Sequence, residues 1–129
     1  MAKSLLVAMA MAMMALHASF VAAVPGTASF STPSGLPSAC FGPVDPGVFL
    51  AAASGEIWNN GSACGRRYMV TCTGPANAGE TNPCKGTSVN VTIVDYCPAC
   101  QATFDLSLDA FAVIADPNAG RINIEYTQV

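Results

Sequence analysis

Apolar and polar positions alternate most cleanly between Ser88 and Tyr96. Val89, Val91 and Ile93 fall on one face, and Asn90, Thr92 and Val94 on the other. A period of two in β-branched residues predicts a strand with one buried face. Tyr68 to Cys72 alternates in the same way, and Arg121 to Val129 places Ile122, Ile124 and Tyr126 on one face. Val48 to Ala53 is a short apolar run that reads as a buried strand, and Thr27 to Ser31 is a short β-prone stretch. One segment changes period. Leu108, Phe111, Ala112 and Ala115 recur as on a helix, Ser107 can cap it, Asp109 lies in its first turn, and Asp116-Pro117 stops it. Residues 24–47 and 73–86 are rich in Gly, Pro, Ser and Asn and read as loops, and residues 55–61 as a turn carrying Trp58. Short strands, long loops and a single short helix near residues 107–116 predict an all-β fold with small α content, a small barrel.

The first 23 residues have a different character. Lys3 is followed by an apolar run from Leu5 to Leu16, and then by small residues up to Ala23. That order is a secretory signal peptide. The run has 12 residues, against roughly 20 needed to cross a bilayer. Residues 1–23 are therefore expected to be removed, with Val21 and Ala23 as the small-residue pair, leaving 24–129 as one domain, secreted and without membrane insertion.

Cleavage alters the chemistry available. The only histidine, His17, leaves with the signal. A triad or Cys–His nucleophile, and any imidazole-based zinc site, leave with it. Five basic residues less Lys3 leave four against eight acidic ones, a net charge of −4. Such a chain has no basic footprint for nucleic acid. Arg66-Arg67 is its only cationic cluster.

All six cysteines remain: Cys40, Cys64, Cys72, Cys84, Cys97 and Cys100. An even count in a short exported chain reads as three disulfides, with 15 possible pairings. Cys97-Pro98-Ala99-Cys100 also has the spacing of a zinc knuckle or redox motif. No second pair has matching spacing for zinc, and the βαβ setting of a thioredoxin-type site is absent. No metal and no cofactor is expected.

An ordered set of segments carries a family resemblance: Gly26 to Phe30, Ser38-Ala-Cys40, Ala51 to Ser54, Trp58-Asn-Asn-Gly61, Ala63-Cys-Gly65, Tyr68 to Gly74, Val94-Asp-Tyr-Cys-Pro98, Thr103-Phe-Asp-Leu-Ser107, Ala110-Phe111, Ile114 to Pro117 and Gly120-Arg-Ile. Together they resemble an EG45-like, expansin-like domain of the plant natriuretic peptide type. The resemblance implies a six-stranded double-psi β-barrel in the apoplast or cell wall. By analogy with the expansin barrel it implies Cys40–Cys64 and Cys72–Cys84 bonds, leaving Cys97 to pair with Cys100.

It also singles out two carboxylates. The residue matching Asp105 is the general acid of related family 45 glycosidases, and in expansins it acts with the residue matching Asp95. An inverting glycosidase needs a second carboxylate as base, roughly 6.5–9.5 Å from the acid. The first strand, Thr27 to Ser31, holds no acid, and the next candidate, Asp45, lies far along a Pro-Gly loop. Thr103 occupies the position of the expansin histidine. The expectation is a protein without hydrolase activity.

The expected ligand groove comprises Asp95, Asp105, Tyr96, Thr27, Ser29 and Trp58. Tyr68 and Tyr126 are read as packing residues, and a lone Trp in a small barrel is more often core than platform. Asn60-Gly-Ser62 and Asn90-Val-Thr92 are glycosylation sequons, the second usable only if Asn90 faces outward. The leading reading is an extracellular signal in water and ion balance, with a cell-surface receptor as partner and residues 40–72 as its recognition surface. It draws on the resemblance ending at the barrel, where expansins continue into a second domain. The alternatives are a wall-polysaccharide-binding or wall-modifying module and a barwin-like defence protein. The chain is expected to act as a monomer.

Overall fold

The computed structural model describes residues 22–31 and 36–129. The expected signal peptide lies outside the described residues except for Ala22 and Ala23. Six strands form a closed barrel: β1 (Val24–Ser31), β2 (Leu50–Ala53), β3 (Arg67–Pro75), β4 (Ser88–Tyr96), β5 (Phe104–Ser107) and β6 (Arg121–Gln128). Around the barrel the order is β1-β5-β2-β4-β3-β6. The β1–β5 and β2–β4 pairs are parallel and the other four antiparallel. Among the described residues no helix is long and apolar enough to cross a membrane.

The alternating segments behave as strands because their apolar faces meet inside the barrel. Val89, Val91 and Ile93 of β4, Tyr68, Val70 and Cys72 of β3, and Ile122, Ile124 and Tyr126 of β6 are all buried. Tyr68 and Tyr126 are packing residues, as expected. With Phe104 they form an aromatic cluster, with ring centroids 5.0–5.9 Å apart.

One strand escaped the sequence reading. Residues 104–107 form β5, with Phe104 and Leu106 buried and Asp105 and Ser107 half-buried. Its four residues are too few to announce a period, and their strand character comes from pairing with β1 and β2. A second difference concerns residues 55–61. Instead of a plain turn they form a short helix, α1 (Gly55–Trp58), and a 3-10 turn (Asn59–Gly61), so the barrel carries two short helices.

The expected helix is present as α2 (Leu108–Ile114). Ser107 caps it by accepting from the Ala110 N–H at 3.3 Å. The same hydroxyl accepts from Leu50 N at 3.2 Å and donates to Val48 O at 2.7 Å. One serine therefore starts α2 and fixes the entry to β2. Ala110, Phe111 and Ile114 bury the inner face of the helix, and Phe111 meets Phe30 at 4.8 Å.

Cys40–Cys64 and Cys72–Cys84 are bonded, closing sequence separations of 24 and 12 residues. Removing loop entropy from the unfolded chain, each contributes about 3 kcal/mol in the chain-entropy picture. The third expected bond is corrected: Cys97 and Cys100 are free thiols. The backbone turn between them aims Cys100 Sγ at the Cys97 carbonyl, 3.2 Å away, and at Ala102 O, 3.6 Å away.

Candidate functional site

β2 is built from alanines, and its position makes a site of them. It lies between β4 and β5, and Ala52 is in register with Asp95 on one side and with Asp105 on the other. Residues paired in register point to the same face of a sheet. Asp105 is in turn paired with Ser29 on β1. Ser29, Asp105, Ala52 and Asp95 thus form one row across four adjacent strands. The methyl of Ala52 leaves space between the two acids, which stand two strand spacings apart, about 9.5 Å between backbones.

The two carboxylates are held differently. Ser29 donates its hydroxyl to Asp105 Oδ1 at 3.2 Å, and Ser31 donates to Oδ2. Both oxygens of Asp105 are therefore acceptors anchored to β1. Asp95 folds back onto the chain, its Oδ1 accepting from the Tyr96 N–H at 2.9 Å. It ends β4 beside a bulge, where the β2 register slips between Ala51 and Ala52 and Val94 is left buried outside the alternation.

A cleft of about 310 Å³ opens over this row. Asp95, Asp105 and Tyr96 line it. So do Ser31, Ala52, Cys97, Ser107 and Asp45, which sequence reasoning did not assign to the groove. Ser31 was legible as the next outward residue after Ser29 on an alternating strand. Asp45 carried no such signal, because the loop ahead of β2 brings it to the cleft; its Oδ1 is taken by the Gly47 N–H at 3.0 Å. No basic side chain is among the lining residues.

The other expected groove residues, Thr27, Ser29 and Trp58, are not among the lining residues of the cleft. Ser29 acts through Asp105. Thr27 pairs with Thr103: the Thr103 hydroxyl accepts from Thr27 N at 3.1 Å, and Thr103 N donates to Thr27 O at 2.9 Å. Thr103 thus serves to lock β1. Trp58, half-buried, packs against the core and stacks on exposed Tyr96, with centroids 5.2 Å apart and planes 11° from parallel. The indole is a backing plate, and the phenol is the ring offered to the cleft. Asn60 and Asn90 are both exposed, so Asn90 meets the outward-facing condition of its sequon.

Burial pushes the Cys97 thiol up to about 11, with the neighbouring Cys100 and the charge of Asp105 acting in the same direction. Burial likewise raises the Tyr126 phenol.

Comparison with known proteins is consistent with this geometry. The family model described as lytic transglycolase, a double-psi barrel model, matches residues 50–126. An EG45-like domain containing protein of Citrus jambhiri is 57% identical over 80% of this chain and 79% of its own. EG45-like domain containing protein 2 of Arabidopsis thaliana is 39% identical over 83% of this chain and 82% of its own. The chain spans about a third of the expansins it matches, such as Expansin-A19 of Oryza sativa, at 35% identity over 64% of this chain and 37% of that one. Among solved structures, a mutant Clavibacter michiganensis expansin in complex with cellohexaose aligns with a TM-score of 0.63 at 30% identity, covering 84% of this chain and half of that one. A Streptomyces papain inhibitor aligns with a TM-score of 0.62 at 27% identity, covering 84% and 94%. The six-stranded closed barrel, its two disulfides and these relatives together place the chain in the EG45-like domain family of expansin-like double-psi barrels.

Proposed function

We propose that this protein is exported to the cell wall and binds a wall polysaccharide in the cleft over β2 without cleaving it. The row of Asp105, Ala52 and Asp95 beneath the exposed ring of Tyr96 carries this reading. A cleft with carboxylate acceptors and one aromatic face suits sugar hydroxyls and the apolar face of a pyranose. The expansin bound to cellohexaose supports a β-linked glucan as ligand. Three carboxylates and no lining cation disfavour uronate-rich polymers, which would bring like charge into the cleft.

How the acids are held supports binding without hydrolysis. A general acid must present its O–H to the leaving oxygen, whereas both oxygens of Asp105 accept serine hydroxyls. Asp95 accepts from the Tyr96 N–H at the end of β4, and Asp45 from the Gly47 N–H of its loop. Pull-down of the mature protein on cellulose, xyloglucan and mixed-linkage glucan, with homogalacturonan alongside, tests the reading. Retention on a glucan, lost in Asp105→Ala and without release of reducing ends, is expected. Retention on none of the glucans removes the polysaccharide reading, and reducing ends that depend on Asp105 or Asp45 remove the non-hydrolytic one.

A second reading, an extracellular signal of the natriuretic type, draws on the exposed apolar residues of the loop that also brings Asp45 to the cleft. Phe41, Val44, Val48 and Phe49 are exposed on the loop ahead of β2, with Arg67 exposed at the start of β3. Exposed apolar groups of this density suit a protein partner. Plant protoplasts swelling in proportion to dose, and failing to swell with a Val44→Asp/Val48→Asp variant, is the result this reading expects. No response at any dose removes it.

A further inference from the structure

Cys97 and Cys100 stand apart from the other four cysteines. They are thiols while the other two pairs are bonded. Only two residues separate them, so a bond between them would close the shortest loop in the chain and remove the least unfolded-state entropy of the three. Both thiols are partly accessible.

Their position gives the pair a consequence. The segment from Cys97 to Thr103 joins the end of β4, where Asp95 stands, to the start of β5, ahead of Asp105. It is pinned at both ends: Cys97 N donates to Ala53 O at 2.9 Å, and Ser54 N donates to Thr103 O at 3.1 Å. Between the pins, Cys100 Sγ contacts the carbonyls of Cys97 and Ala102. Cys97 itself lines the cleft and follows Tyr96 directly. A bond between the two sulfurs would pull Cys100 Sγ off both carbonyls and reset the turn that carries Tyr96 and the cleft wall.

We propose that Cys97 and Cys100 form a reversible dithiol–disulfide site whose redox state sets the geometry of the cleft wall. The oxidant is a disulfide, either a low-molecular-weight one or an accessible protein one. A thiolate of the pair attacks one of its sulfurs and releases one thiol. The second cysteine then displaces the other. The products are one Cys97–Cys100 bond and two equivalents of reduced thiol, which carry the two electrons and the two protons. The high affinity of Cys97 for its proton makes this a slow switch rather than a rapid exchange catalyst. The link to ligand affinity rests on the glucan-binding reading; the redox site itself does not.

Equilibration of the folded mature protein in graded mixtures of reduced and oxidised dithiothreitol, followed by alkylation and peptide mass spectrometry, tests the site. Cys97 and Cys100 should interconvert in mixtures that leave Cys40–Cys64 and Cys72–Cys84 fully bonded. Thiols that persist in every mixture, or a bond that opens only together with the other two, would overturn the proposal. Trp58, the single tryptophan, reports on the cleft wall through its stack with Tyr96. Its emission should differ between the two forms, and Cys97→Ser/Cys100→Ser should match the reduced form in every mixture. Identical emission overturns the coupling to the cleft. Cellohexaose titration should show at least a threefold difference in affinity between the forms. Failure of both forms to bind cellohexaose counts against the glucan reading and leaves the redox site to be judged by the mass spectra and the emission.

Discussion

Asp95 and Asp105 sit on strands that are not paired with each other, yet both are in register with the same residue, Ala52. β2 acts as a spacer that puts only a methyl group between the two acids. Ala52→Phe should therefore fill the cleft while leaving both carboxylates in place. The expected result is at least a tenfold loss of cellohexaose affinity, about 1.4 kcal/mol, with a near-unchanged melting temperature because Ala52 faces outward. Unchanged affinity would place the ligand elsewhere.

Asp105 is expected to provide the stronger anchor, because both of its oxygens are preset by β1 serines. Hydrogen bonds to a charged group contribute about 1.5–3 kcal/mol. Asp105→Asn should cost roughly tenfold or more in glucan affinity, and Ser29→Ala/Ser31→Ala should lose part of that by freeing the carboxylate to rotate. Calorimetric titration of the three proteins side by side checks the order.

Tyr96 and Trp58 should separate by assay. Tyr96 lines the cleft and is exposed, so Tyr96→Ala should weaken binding by about 3- to 10-fold, in line with 0.5–1.5 kcal/mol for an aromatic contact, with little change in stability. Trp58 packs against the core, so Trp58→Ala should lower the melting temperature as well. Equal effects of both variants on stability would contradict the backing-plate arrangement.

Gly26 is fixed by space. A Cβ there would lie 2.4 Å from Thr103 Oγ1, against the contact that locks β1. Gly26→Ala should destabilise the barrel by about 1–3 kcal/mol through overpacking, measured by denaturant unfolding. Gly26→Ala/Thr103→Ser still meets the hydroxyl, whereas Gly26→Ala/Thr103→Ala should recover only part of the loss, because the Thr103 Cβ at 3.1 Å and the Tyr126 ring at 3.3 Å remain and Thr27 N loses its acceptor.

Cys97 makes stability fall in alkali. Its folded pKa, raised to about 11 from 9.0, means that the folded state holds the proton more tightly than the unfolded chain. Its contribution is fully present below pH 9 and is lost as pH rises through about 11. In the reduced protein the unfolding midpoint should decline across that window, and Cys97→Ser should flatten the decline.

The elements that were legible in the sequence are those whose side chains announce a period. Val89, Val91 and Ile93 predicted β4, and Ser107 predicted the helix start. β5 was hidden because four residues bounded by a cysteine loop and a helix have no period of their own; pairing with β1 and β2 makes them a strand. The site was half legible. Asp95 and Asp105 came from the family resemblance and Tyr96 from its place beside Asp95; Ser31 was not assigned, although simple alternation after Ser29 on β1 pointed to it. Ala52 and Asp45 became visible only in three dimensions, one through the strand order and the other through a loop that folds back over it. Thr27 and Trp58, also assigned to the groove, are not among its lining residues.

β1 closes the barrel against two strands from the other end of the chain, with contacts between residues 76 positions apart. Assembly must therefore wait until nearly the whole polypeptide is present. A nick or truncation that frees the first strand would expose unpaired edges on β5 and β6 together, and another copy's first strand could then fill the gap. Proteolysis near residue 31 would convert a self-contained capsule into a building block for strand-exchanged oligomers.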